Sequence, residues 1–318
     1  IFKDAKDIGL KKVNMTGGEI FCRSDSIELI KDTINMGLNV SIETNGTMIT
    51  ESQIKELSQY KDNLSMSISL DGITSETNNL TRGNGSFEKT FNTIKTIKKY
   101  NIPLRIITVL SDNNYDEIPK LAKTIHEELG LGFRLLPNII EYGKGVTAND
   151  EYGVSYPKIK KLMDDFYYDF LRKHAEDENL TIELNMAIIP IDIYRHSFCP
   201  WGKAMLGIGY SGNVALCHVA SDNDMFIFDN VKNNKISDIW KYNKKLLKFV
   251  NENPDDLKGV CGNCLARSLC RGGCRLHAMS KYLGDFYAPD PDCQKVYDIG
   301  MFPEYALDDV EKVCNYEK

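Results

Sequence analysis

Apolar runs alternate with helix-period segments through the N-terminal part of this chain of 318 residues. Runs at 12–16, 39–44, 64–70, 104–110 and 132–136 predict β-strands; segments 26–36, 51–60, 86–100 and 115–129, with apolar residues three and four apart, predict helices between them. Strand starts recur at intervals of about 25 to 40 residues, which suits right-handed βα units and a parallel, barrel-like sheet. In the third strand Leu64, Met66, Ile68 and Leu70 are placed to pack against helices, leaving Ser65, Ser67 and Ser69 on the opposite face. Hydroxyls inside a barrel predict a polar ligand there. The competing reading is a solvated face of an antiparallel sheet. Residues 1–8 carry apolar positions at Ile1, Phe2, Ala5 and Ile8 before Gly9, the pattern of a helix and its C-cap. A βα chain that opens inside a helix, without an initiator methionine, is expected to be a fragment lacking the strand before it.

Polar, glycine-rich loops follow the strands: Thr16-Gly17-Gly18-Glu19, Thr44-Asn45-Gly46, Ser69-Leu70-Asp71-Gly72, Ser111-Asp112-Asn113 and Pro137-Asn138. Each alone is an ordinary turn. Together, at the carboxyl ends of parallel strands, they outline one binding site.

Seven of the nine cysteines lie between Cys199 and Cys293. They read Cys199-x12-Gly212-x4-Cys217, then Cys261-x2-Cys264-x5-Cys270-x3-Cys274, then Cys293. A disulfide framework suits a short secreted domain, which this is not. Structural zinc favours two Cys-x2-Cys pairs, and only Cys261/Cys264 has that spacing. Iron–sulfur clusters accept mixed spacings and distant ligands, and the interleaved Gly262, Gly272 and Gly273 let backbone amides approach sulfur, so clusters lead. Lys and Arg total 39 against 45 Asp and Glu, a formal charge of −6 that gives no footing for nucleic acid. No apolar run reaches the roughly eighteen residues of a membrane span. Without a signal-peptide pattern and with many thiols, a reducing, cytoplasmic setting is expected.

Met15-Thr-Gly-Gly-Glu19, Thr44-Asn-Gly46, Ser69-Leu-Asp-Gly72 and Gly83-Asn-Gly-Ser-Phe87 resemble the core motifs of radical S-adenosylmethionine (SAM) enzymes. The seven-cysteine pattern, with Gly209-Tyr-Ser-Gly-Asn-Val-Ala-Leu-Cys217 and Cys270-Arg-Gly-Gly-Cys274, is similar to the SPASM extension of that superfamily. The family's Cys-x3-Cys-x2-Cys motif for the SAM-cleaving cluster does not occur within residues 1–318, so this polypeptide by itself is not expected to cleave SAM. The resemblance implies a reduced [4Fe–4S] cluster that binds SAM and splits its C5′–S bond, giving a deoxyadenosyl radical that takes a hydrogen from substrate. It implies that Gly17, Gly18 and Glu19 hold the SAM amino group and that Ser69 faces its carboxylate or ribose. Thr44 and Asn45 would line the rim, Asp71 would cap the strand end, and Leu135 with Leu136 would meet adenine through backbone. Arg82 is a candidate for the SAM carboxylate, against the alternative of a solvated surface arginine.

The resemblance also assigns Cys261, Cys264, Cys270 and Cys293 to an outer auxiliary [4Fe–4S] cluster and Cys199, Cys217 and Cys274 to an inner one. The family's fuller members place a fourth cysteine soon after the first, and residues 200–216 contain none. The inner cluster therefore has an unusual fourth ligand or an open iron that could take a substrate thiolate. Cys22 reads as a buried structural cysteine and Cys314 as a bystander on a helix-like stretch, 305–314. His218 stands beside Cys217 and offers a donor to its sulfur, and His126, His174, His196 and His277 have no partner spacing; bland roles are the favoured reading for all five. Phe166, Tyr167 and Tyr168 read as core.

The expected architecture is α/β: a partial (β/α)6 barrel lacking its first strand over 1–141, and a bridging helix and strand over 142–195. A SPASM domain with a hairpin at 208–218 follows over 196–295, then a tail over 296–318. The expected function is a radical SAM/SPASM maturase that modifies a peptide or protein side chain, for instance by a thioether crosslink, using an electron donor such as flavodoxin or ferredoxin. Cys270-Arg-Gly-Gly-Cys-Arg275 and Ala288-Pro-Asp-Pro-Asp-Cys293 keep a tetrapyrrole-processing enzyme as the alternative. Outside enzymes, the alternative is an iron–sulfur electron-transfer protein.

Overall fold

The computed structural model describes residues 1–137, 139, 141–166, 169–170, 172–174, 176–182 and 199–308. The chain divides into two compact units: Ile1–Ile139 with Tyr152–Val154 and Asp164–Ile182, and Ile140–Glu151 with Ser155–Met163 and Glu183–Lys318. Within the described residues no helix is long and apolar enough to cross a membrane.

The first unit holds six strands: β1 (Lys12–Met15), β2 (Asn39–Thr44), β3 (Leu64–Ser69), β4 (Leu104–Val109), β5 (Gly132–Leu136) and β6 (Leu180–Ile182). They form one all-parallel sheet in the order β1-β2-β3-β4-β5-β6. Register places Ile42, Met66 and Leu104 in one row and Thr44, Ile68, Ile106 and Phe133 in the next. Met66, Ile68, Ile106 and Phe133 are almost wholly buried. Each such side chain contributes roughly 1.5–3 kcal/mol by leaving water.

The opposite face is polar, as the β3 alternation predicts. Ser41 lies beside Ser65, whose Oγ donates to Ser41 Oγ at 3.2 Å, and the next row reads Glu43, Ser67, Arg105. Parallel pairing on both sides of β3 rules out the solvated antiparallel face. The expected bridging strand is β6, which joins this same sheet.

The predicted helices form at Ser26–Asn35, Glu51–Leu57 and Ser86–Lys99; the segment 115–129 resolves into Tyr115–Glu117, Ile118–Lys123 and a π-turn at Thr124–Glu128. The helix Ser75–Arg82 has no apolar stripe to announce it; its start is fixed by Thr74, whose side chain accepts from Thr77 N. The N-terminal helix Phe2–Asp7 ends as expected, with Gly9 at φ 98°.

The second unit carries an antiparallel sheet of β7 (Gly207–Ile208), β8 (Asn213–Ala215) and β9 (Ile227–Asn230). The predicted hairpin is β7–β8, and β9 adds a third strand to it. Around it Phe226, Phe228 and Phe286 pack edge-on against Phe249 at 6.2, 5.6 and 5.1 Å between ring centroids. Small helices follow at Gly259–Gly262, Arg267–Cys270, Arg275–Lys281 and Pro291–Asp298. All four begin or end within two residues of a cysteine of the motif, so this part of the chain is folded around its thiols.

Candidate functional site

Two hydrogen-bonded groups stand where the loops leave the first sheet. In one, the Glu19 carboxylate accepts from Thr44 Oγ1 at 2.7 Å, Asn45 N at 2.9 Å and Phe21 N at 3.2 Å. Thr44 Oγ1 in turn accepts from Gly46 N, and the Asn45 side chain accepts from Thr47 N. Glu19 thus binds the loop after β1 to the loop after β2. Gly17 and Gly18 are exposed beside it, and a Cβ on either would meet nothing within 4 Å. Backbone amides there are open to a ligand.

In the other group Asp71 is buried at the end of β3. Its carboxylate accepts from Val109 N at 3.0 Å, Thr81 Oγ1 at 3.2 Å and Arg82 Nε at 2.6 Å. Arg82 is therefore neither a loose surface arginine nor an uncommitted anion receptor: its Nε orients on Asp71. Gly72 follows because any Cβ there would lie 2.6 Å from Asn78 N. Ser69 is half-buried on the polar face of β3, and Leu135 is fully buried in β5 between β4 and β6. The Leu136 carbonyl is already taken by Leu110 N at 2.8 Å.

Three residues that fix these loops escape sequence reasoning. Asn78 accepts from Asp71 N, Asn114 donates to the carbonyls of Asp71 and Val109, and Glu117 accepts from Ile73 N. Only Asn114 carries a local signal, its Oδ1 accepting from Ser111 N three residues back.

In the second unit Cys261, Cys264, Cys270 and Cys293 line one pocket with Gly272, Gly273, Asp290 and Phe302. Cys274 neighbours Cys199 and Cys217 closely enough for both to raise its pKa. Four of the thiols thus line one pocket, and Cys199 and Cys217 both neighbour Cys274. Among the described residues no three Cys, His, Asp or Glu side chains gather as tightly as a single ion requires. The four thiols surround a wider space, and the described cysteines form no disulfide.

Backbone amides are aimed at the sulfurs. Asp290 N lies 3.3 Å from Cys261 Sγ; amides of Ala266, Gly273 and His277 serve Cys264, Cys270 and Cys274; those of Val219 and Ala220 serve Cys217. Burial is the leading cause that pushes Cys270 and Cys274 up to about 11 and raises Cys261 and Cys293 further still. Buried sulfur ringed by amide donors suits thiolates held on a large cationic core, so the residues fit an iron–sulfur cluster.

Gly273 has φ 69°, and a Cβ there would lie 2.2 Å from Asp290 Oδ2. Gly273→Ala is expected to lose the iron of the four-thiol site while retaining that of the three-thiol site. Iron analysis checks this, with thermal unfolding expected to show a loss of about 1–3 kcal/mol from the left-handed backbone alone.

One single-residue expectation changes. Cys22 is exposed rather than buried, because the turn Ile20–Cys22 sends Ile20 and Phe21 inward. His218 is exposed too, and the hydrogen bonds to Cys217 come from the two amides after it. His126 and His174 sit against Asp177 (3.3 Å) and Glu127 (2.9 Å) far along the chain from any thiol. Phe166 is buried and stacked on Phe170; Tyr167, Tyr168, His196 and Cys314 lie outside the described residues.

Residues 1–125 match the radical SAM superfamily, and residues 199–265 match the SPASM iron–sulfur cluster-binding domain. The chain is a radical SAM/SPASM protein. Its cofactors are [4Fe–4S] clusters and S-adenosylmethionine, and its chemistry is that of a radical SAM oxidoreductase, which removes the plain electron-transfer alternative. It is 26% identical over 313 residues to an AdoMet-dependent heme synthase of Methanosarcina barkeri, covering 91% of this chain and 84% of that one. It is 26% identical over 308 residues to a PqqA peptide cyclase of Rhizobium meliloti, covering 92% and 76%. The radical SAM fold is shared with the crystal structure of Streptococcus suis SuiB bound to S-adenosylmethionine, at 20% identity, TM-score 0.71, and coverage of 92% and 68%.

Proposed function

We propose that this radical SAM/SPASM protein matures a peptide or protein by modifying a side chain, and that a cysteine thiol of the substrate takes part, as in a thioether crosslink. The observation that carries the reading is the unequal division of thiols: four at the outer site, and three at the inner site, where Cys199 is exposed. A four-iron cluster held by only three protein thiolates leaves one iron with a position for a substrate thiolate. Similarity to PqqA peptide cyclase supports a peptide as the substrate class. S-adenosylmethionine and its cluster would supply the hydrogen-abstracting radical. Gly17 and Gly18 would offer backbone to the SAM amino group, with Glu19, Thr44 and Asn45 holding that loop in shape. Ser69 would face its carboxylate or ribose, Arg82 would approach its carboxylate while steadied by Asp71, and the β5 end at Leu135 would approach adenine. The electron donor would be a flavodoxin or ferredoxin.

The natural full-length protein, given SAM, a strong reductant and a cysteine-bearing precursor peptide, is expected to release 5′-deoxyadenosine and remove two hydrogens from the peptide, read by mass spectrometry. Similarity to heme synthase favours one other reading, a tetrapyrrole substrate. An untouched peptide beside a consumed iron porphyrin would establish it.

A further inference from the structure

Two buried charges flank the outer thiol site without cancelling each other. Arg275 is fully buried, yet its partners are all backbone carbonyls: Nη1 donates to Phe286 O at 2.7 Å and Ala288 O at 2.8 Å, and Nη2 donates to Gly272 O. Its Nε has no partner among the described residues. Carbonyls orient a guanidinium but leave its charge standing, and a cation removed from water needs an anion nearby. Gly272, which holds it, itself lines the four-thiol pocket. Asp290, also buried, lines the same pocket, with Oδ1 accepting from Cys293 N at 3.1 Å and its own amide on Cys261 Sγ.

We infer that Arg275 is the fixed counter-charge of the outer cluster and Asp290 its opposing charge, and that the two together set the cluster's reduction potential. A cluster on four thiolates is an anion that becomes one unit more negative on reduction. A guanidinium, permanently protonated, favours the reduced form, and a carboxylate disfavours it. Both residues are positioning residues, since neither is a cluster ligand here. The inference rests on the outer-cluster assignment and not on the identity of the substrate.

The test is an EPR-monitored redox titration of the reconstituted protein, the outer signal being the one lost in Cys264→Ala. Arg275→Met is expected to lower the reduced-to-oxidised ratio at the parent's midpoint about tenfold, a fall of about 59 mV for one electron. Arg275→Lys, which keeps the charge, should stay near the parent. Asp290→Asn, nearly isosteric and still able to accept from Cys293 N, should raise the ratio by a similar factor. Iron-loaded Arg275→Met at the parent's potential would overturn the inference. If Arg275→Met takes up no iron, iron-loaded Asp290→Asn decides: no rise overturns it. A parent protein without an outer signal would overturn the cluster assignment and the inference with it.

Discussion

The 1–318 polypeptide, anaerobically reconstituted, is expected to hold about eight irons in two clusters, and its Cys264→Ala variant about four. Cys264 is buried, and its neighbours Asn263 and Leu265 bond to the backbone of residues 308 and 306, so losing the outer cluster should also loosen residues 306–308. Metal supplies folding energy in so small a module, where short helices of four residues flank the thiols. Iron and sulfide analysis with EPR of the reduced protein checks both numbers. Stoichiometric zinc without iron, after expression with both metals available, would refute the cluster reading. A pH dependence accompanies the metal-free state. Folded Cys270 and Cys274 titrate near 11, above their ordinary range, chiefly because they are buried. The folded form therefore keeps protons that the unfolded chain releases above about pH 8.5, and metal-free stability should fall as pH rises from there towards 11.

Small thiols are expected to change the EPR signal of the inner cluster and leave the outer one untouched. On the proposed assignment three cysteines serve the inner site; of these Cys199 is exposed, and Cys217 and Cys274 are only partly so. On the same assignment four cysteines saturate the outer site, three of them buried. Cys199→Ala should then strip the inner cluster to two thiolates and release its iron, with the outer signal preserved. Both signals indifferent to added thiol, with every iron four-coordinate, would remove the open position. The case for a cysteine-bearing substrate would fall with it.

Much of the fold is legible along the chain because its periods are clean. The β3 alternation of Leu64, Met66 and Ile68 with serines can satisfy only a strand with one apolar and one polar face, and that is what forms. The cysteine spacing points to iron–sulfur clusters, while the division of the thiols between two of them comes from the family resemblance of the pattern. Segments with weak periodicity are less legible. Ser75–Arg82 is helical through its cap and its packing, and β6, three residues long, is a strand because β5 offers it an edge.

At the site, the sequence by itself determined which residue types gather at the strand ends and where along the chain the thiols concentrate. What those side chains hold on to was decided by the tertiary structure. Glu19 reaches Thr44 and Asn45 some 25 residues on, Asp71 reaches Val109 N, 38 residues on, and Arg275 is sealed among carbonyls from a loop that returns eleven to thirteen residues later. Such partners lie beyond any local period. A buried polar group must find whatever donor or acceptor the fold brings within about 3 Å, and only the folded chain fixes which one that is.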